Sequence, residues 1–269
     1  MKRPMLRTLR ALVMTMLLVA AGGAFAAEGA RMEPAPASRL DVESLQRGAA
    51  HFVNYCLGCH SAQFMRYNRL TDLGISEQQV KDNLMFATDK VGSPMLSAMT
   101  RAQGAAWFGA PPPDLSVEAR VRGKDWLYSY LLAFYRDDKS TTGWNNLVFP
   151  SVAMPHVLWQ LQGTQKLVEN EYEDREKAEA AVISIKGIAL DEMRPGGKFV
   201  VKTLGADVPG TLSPVEYRRF VGDLVNFLDY MAEPGRNERI NTGIIVLIYL
   251  GVLFVFAYAL KRAYWNDVH

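Results

Sequence analysis

The chain has two cysteines, Cys56 and Cys59, and His60 follows the second directly, in Tyr55-Cys-Leu-Gly-Cys-His60. Cys-x-x-Cys-His is the attachment pattern of c-type haem: the thiols form thioethers with the vinyl groups, and the adjacent imidazole coordinates the iron. Other chemistries that use paired cysteines fit less well. A disulfide would leave His60 and the absence of further cysteines unexplained. A thioredoxin-like pair sits near a βαβ pattern, which is not visible here, and a zinc site needs a second ligand pair elsewhere. The motif predicts one covalent haem c, with Cys56 and Cys59 holding it and His60 on the metal.

The opposite face of the iron decides the chemistry. Methionine makes a high-potential electron-transfer haem, histidine lowers the potential, and an empty site suits ligand binding or catalysis. Candidate ligands are Met65, Met85, Met95, Met99, Met154, Met193, Met231, His51 and His156. Met65 is too close to His60 in the chain to reach the far face. Met154 lies in the apolar, proline-punctuated stretch Phe149-Pro-Ser-Val-Ala-Met-Pro-His156, which would hold a side chain stiffly against a buried plane. The residues alone favour Met154 and leave the others open.

The elements that must position these groups are short helices with visible start signals. Asp41 can cap a helix running to Tyr55, and Ser76-Glu-Gln-Gln79 reads as a capping box. Lys124 to Tyr135 reads as an aromatic-rich helix. Ser213-Pro-Val-Glu216 is a box with proline at the first helical position, opening a helix to Ala232. Between Ala181 and Leu204, the run Lys198-Phe-Val-Val-Lys-Thr203 after Pro195-Gly-Gly197 suggests a small β-hairpin. Pro34 to Ser38 reads as a linker or an ordered arm.

Both ends of the chain are apolar. Four basic groups (Lys2, Arg3, Arg7, Arg10) precede an apolar run from Ala11 to Ala21 and the small-x-small site Ala24-Phe25-Ala26. That is the layout of a secretory signal peptide over residues 1–26. Ile240 to Leu260 carries no charge and is followed by Lys261-Arg262 and Tyr264-Trp265. A helix over it would cover roughly 31 Å, enough for a hydrocarbon core, and the basic pair places the C-terminus in the cytoplasm. The expected organisation is a leader at 1–26, a periplasmic haem domain at 27–239, a single span of the cytoplasmic membrane at 240–260 and a cytoplasmic tail at 261–269. Without the basic leader and the tail, the net charge of +2 becomes a slight acidic excess, which excludes the concentrated basic face that nucleic acid requires.

Four stretches, in order, resemble cytochrome c1, the haem subunit of bacterial cytochrome bc1 (ubiquinol–cytochrome c reductase) complexes. They are Arg47-Gly48 through Phe52 to Ser61, Ala110-Pro-Pro-Pro-Asp-Leu-Ser116, Phe149-Pro150 with Ala153-Met154-Pro155, and Phe227-Leu-Asp-Tyr-Met-Ala-Glu-Pro234 leading into the terminal apolar run. Residues 160–212 carry no such pattern. The resemblance implies a mostly α protein: a cytochrome-c-like haem domain with a small β-hairpin insertion and one C-terminal transmembrane helix. It implies Met154 as sixth ligand, Arg120 neutralising a haem propionate, and Pro112 and Pro113 walling the haem, with Trp126 packed nearby. Pro-His after Met154 departs from the family's Ala-Pro-Pro. The function implied is one-electron transfer from a Rieske-type iron–sulfur subunit to cytochrome c, beside a cytochrome b partner. The alternatives are the haem c subunit of a terminal oxidase or nitric-oxide reductase, or an open-site haem catalyst. The acidic stretch Glu169 to Glu179 reads as a solvated helical face with Glu171–Arg175 and Glu173–Lys177 pairs, or as a docking patch for a basic cytochrome c.

Overall fold

The computed structural model describes residues 30–185 and 187–266; the leader expected over residues 1–26 lies outside them. The first helix, α1 (Val42–Tyr55), starts where Asp41 accepts a hydrogen bond from the Ser44 amide. Its buried residues Leu45, Gly48, Ala49, Phe52 and Val53 recur at three- and four-residue steps and form one apolar stripe. Strand β1 (Ala62–Arg66) and a 3-10 turn (Tyr67–Leu73) follow, then α2 (Glu77–Leu84), opened by the reciprocal Ser76–Gln79 box. Strand β2 (Pro94–Met95) pairs antiparallel with β1, and α3 (Arg101–Phe108) opens on a second box, Thr100–Gln103.

Two short helices come next, α4 (Glu118–Arg122) and α5 (Lys124–Leu132). The second ends three residues before the expected Tyr135, because Phe134–Arg136 (β3) pairs antiparallel with Trp144–Asn146 (β4) and buries Phe134. The cross-strand partner is not revealed by sequence spacing, and Phe134 and Tyr135 are of the aromatic type that favours strands. After the one-turn α6 (Trp159–Gln162) come β5 (Gly163–Tyr172), α7 (Arg175–Ser184), β6 (Leu190–Met193) and β7 (Phe199–Pro209). The expected hairpin is present as β6 and β7, and β5 enlarges it to a three-stranded antiparallel sheet in the order β5-β7-β6.

The acidic stretch is therefore not one helix. Glu169 and Glu171 lie on β5, and instead of pairing along a helix they reach cations of the adjoining hairpin, Glu169 with Arg194 at 2.5 Å and Glu171 with Lys198 at 3.0 Å. These bonds hold the Glu171 carboxyl below the usual carboxylate range. The acidic charge is partly matched at its source, which weakens the docking-patch reading.

Helix α8 (Pro214–Ala232) begins at Ser213 with a capping box to Glu216 and proline in its first turn. It buries most of its last three turns, chiefly against α1. The two helices meet so closely that a Cβ on Gly48 would lie 2.1 Å from the Asp223 carbonyl oxygen, so only glycine fits. Arg47 and Asp223 flank the crossing with an ion pair at 2.6 Å. The Phe52 and Phe227 rings sit 5.8 Å apart beneath it, each fully buried and each contributing about 2–3 kcal/mol of burial. Residues 30–40 form an ordered arm rather than a loose linker. The Glu33 amide donates to Ser129 Oγ at 2.7 Å and the Ala35 amide to Asp125 Oδ1 at 2.8 Å. Arg39 reaches Asp229 at 2.6 Å at the C-terminal end of α8.

The last helix, α9 (Arg236–Asn266), is 31 residues long with a mean hydropathy of 2.6 over its most apolar window, none of it buried in the chain. It is long and apolar enough to cross a membrane. It extends beyond the expected 240–260 at both ends.

Candidate haem site

Cys56, Cys59 and His60 leave the end of α1 in a turn made by its own backbone. The Cys56 amide donates to Phe52 O, the Cys59 amide to Cys56 O at 3.0 Å, and the His60 amide to Cys56 O at 2.8 Å. Both thiols are free and face a cavity of about 280 Å³. Burial, with the neighbouring Cys59, pushes the Cys56 thiol up to about 12, and burial also raises Cys59.

The Ala-Pro-Pro-Pro-Asp-Leu-Ser segment locks against the motif. Asp114 Oδ2 accepts from the Gln63 amide at 2.9 Å, Ser116 Oγ from the Phe64 amide at 3.1 Å, and the Leu115 amide donates to Ser61 O at 2.8 Å. This docking carries the Pro113 carbonyl to 2.8 Å from His60 Nδ1. An Nδ1–H donated to that carbonyl leaves the lone pair on Nε2, the tautomer a metal ligand requires. Burial lowers the His60 pKa, only partly offset by the Pro113 carbonyl, so the ring is neutral at neutral pH. Pro112 and Pro113 line the cavity.

Glu118, Arg122, Trp126 and Tyr130 line a second wall, spaced four residues apart through α4 and α5. Arg122 stacks on the Trp126 ring at 4.5 Å, and Trp126 stacks on Tyr130 at 5.0 Å with an interplanar angle of 9°. Arg122 also bonds Glu118 at 3.3 Å and keeps its side chain 41% exposed. Arg120, the arginine expected at the propionate, is exposed and is not on the cavity wall. Arg122, the last residue of α4, reaches the wall by its contact with Trp126 across the break at Gly123, whereas Arg120, two positions earlier, does not line the cavity. No spacing in the sequence singles Arg122 out, because Gly123, at φ 88°, breaks the helix between it and Trp126.

Met154 completes the enclosure. Of the candidate ligands, it is the one on the cavity wall among the described residues. Met65, Met95 and Met231 are buried in the core, and Met193 is exposed. His51 stacks on Phe220 at 3.8 Å, and His156 is buried behind the cavity, stacked on Phe134 at 4.7 Å with the Trp144 edge at 5.1 Å. Burial holds His156 down to about 4. His156 of the Pro-His departure after Met154 thus fills a packing position off the cavity wall.

The Met154 loop is held by two asparagines that sequence reasoning missed. Asn146 is fully buried; its Oδ1 accepts from the amides of Val148 at 2.9 Å and Phe149 at 3.1 Å, and its Nδ2 donates to Tyr130 O at 2.8 Å. Asn145 Oδ1 accepts from the Ser151 amide at 2.9 Å, where Ser151 adopts the left-handed region with φ 60°. Two thiols, a neutral imidazole and a thioether thus surround one apolar cavity with a guanidinium on its wall. Among the described residues, no group of three or more His, Cys, Asp or Glu could hold a bare ion. The donor set fits a metal carried in an apolar macrocycle with acidic edges.

The comparisons agree with this chemistry. A sequence profile of the Cytochrome C1 family matches residues 34–91 and 213–268, which carry the attachment motif, α8 and α9. Cytochrome c1 of Allochromatium vinosum is 43% identical over 270 residues, covering all of both chains. A protein named ammonia monooxygenase gamma subunit, from Nitrosomonas europaea, is 42% identical over 98% of this chain and its own full length. Cytochrome c1 of Rhodospirillum rubrum is 30% identical over 86% of this chain and 84% of its own. With full-length similarity of this degree and a cavity built around Cys-x-x-Cys-His, the chain belongs to the cytochrome c1 family of haem c electron-transport proteins.

Proposed function

We propose that this chain is the electron-carrying subunit of a bacterial quinol–cytochrome c reductase, taking single electrons from a Rieske-type iron–sulfur protein and handing them to a cytochrome c. The observation that carries the reading is the pairing of His60 and Met154 on one apolar cavity that both cysteines face. Bound there, haem c supplies a reversible one-electron couple at its iron. Cys56 and Cys59 would hold it covalently, and His60, fixed by Pro113, would give the fifth ligand. Met154 would give the sixth and close the site to exogenous ligands, which favours a carrier over a catalyst. Arg122 would meet a propionate at the rim, its planar fork suited to a carboxylate, while Pro112, Pro113 and Trp126 exclude water. Quinol oxidation would belong to a cytochrome b partner. Helix α9 would anchor the haem domain on the periplasmic side of the cytoplasmic membrane, with Lys261 and Arg262 inside.

The test uses the full chain, affinity-purified from membranes in mild detergent. Cytochrome b and an iron–sulfur subunit should co-purify. Quinol should reduce this haem only while the iron–sulfur subunit is present, and added cytochrome c should reoxidise it. The ferrous form should not bind carbon monoxide. Ready carbon monoxide binding, or quinol reduction without the iron–sulfur subunit, would overturn the assignment.

A further inference from the structure

We propose that Tyr130 tunes the redox equilibrium of the site through Met154, by donating its hydroxyl proton to the thioether sulfur. The inference rests on the reading of Met154 as the sixth ligand and goes beyond it. The Tyr130 hydroxyl lies 3.3 Å from Met154 Sδ, within donor range of sulfur, on a predominantly apolar cavity wall. A thioether sulfur has two lone pairs and is a weak acceptor, so ligation through one pair leaves the other for the hydroxyl.

The approach is built into the surroundings. Trp126 stacks on one side of the Tyr130 ring at 5.0 Å, and Phe134 meets it edge-on at 5.1 Å. Asn146 holds the Tyr130 carbonyl at 2.8 Å and, with its other amide atom, the backbone at Val148 and Phe149 where the Met154 loop begins. One buried amide therefore fixes the donor's helix and the acceptor's loop relative to each other. The aromatic packing alone would be served by phenylalanine; the hydroxyl adds only the contact with sulfur.

The sign follows from charge. A proton donated to sulfur withdraws electron density that ferric iron needs more than ferrous iron, and the positive end of the O–H dipole opposes the extra positive charge of the ferric state. Hydrogen bonds beyond the first ligands are an established lever on potential. Tyr130 therefore favours the ferrous form and acts as a positioning residue. A neutral hydrogen bond felt unequally by the two oxidation states gives roughly a five- to tenfold change in the ferrous-to-ferric ratio, or about 40–60 mV at 59 mV per decade.

The experiment is redox titration of the purified, haem-loaded full chain carrying Tyr130→Phe, with the weak far-red sulfur-to-iron absorption band recorded in the ferric state. The expected result is a retained band and a midpoint lowered by that amount. A retained band with an unchanged midpoint overturns the proposal and leaves Met154 as ligand. Loss of the band, or of haem, would make Tyr130 a packing residue and overturn it too. Met154→Lys is the control on the underlying reading: it should abolish the band and lower the midpoint by far more than Tyr130→Phe. If the band survives in Met154→Lys, the ligand assignment itself fails, and the proposal with it.

Discussion

The two sides of the haem cavity are built by opposite means. On the His60 side, the chemistry sits in five consecutive residues whose turn is closed by backbone bonds no more than five residues long. A single docked segment, Pro113 to Ser116, then orients the imidazole. On the Met154 side, the sulfur is held by a loop that owes its shape to Asn145 and Asn146 on β4 and to Tyr130 on α5. The first side depends on local geometry and covalent attachment, and the second on the tertiary assembly of separate elements. Damage to the two sides should therefore differ in kind, the first all-or-none and the second graded.

The largest effect expected is on the covalent side. Cys56→Ala with Cys59→Ala should abolish haem staining of the denatured chain, while either single change weakens it. Full haem retention in the double variant would falsify covalent attachment at this motif.

A graded effect is expected on the other side. Asn146→Ala removes the acceptor of the part-buried Val148 and Phe149 amides and one of two bonds to the Tyr130 carbonyl, which keeps the Ala133 amide, a cost of roughly 1–3 kcal/mol. In a denaturant titration of the haem-loaded protein, its far-red sulfur–iron band should disappear at clearly lower denaturant than in the wild type, with the haem still attached. Coincident curves for the two proteins would mean that the Met154 loop stands without Asn146, and the contrast between the sides would collapse.

The smallest effect sharpens the position of the rim. Arg122→Gln removes a half-exposed cation from the cavity wall and should lower the potential by tens of millivolts at most, because solvent screens the charge. Arg120→Gln should leave it unchanged. The reverse ranking in the same redox titration would assign the propionate to Arg120.

Much of this protein is written in short stretches. The attachment motif, the capping boxes at Ser76 and Ser213 and the apolar run inside α9 were legible because each acts over a few residues: a cap satisfies amides three positions on, and a span needs only length and apolarity. What failed to read out depends on partners distant in the chain. Phe134 looked helical until β4 supplied a strand to pair with. Glu171 and Glu173 read as a helical face because each has a cation four residues on, yet β7 and the Arg194–Lys198 turn, more than twenty residues later, recruit Glu169 and Glu171 into a sheet. Arg120 and Arg122 are chemically identical two positions apart, and only the packing of α4 and α5 against the cavity decides which faces it. The residues alone thus determined which cofactor this chain attaches, because thioether attachment needs a fixed local spacing. The tertiary structure decided what surrounds that cofactor on its far side, because a sulfur, a hydroxyl and a guanidinium from separate elements meet only once the core has closed.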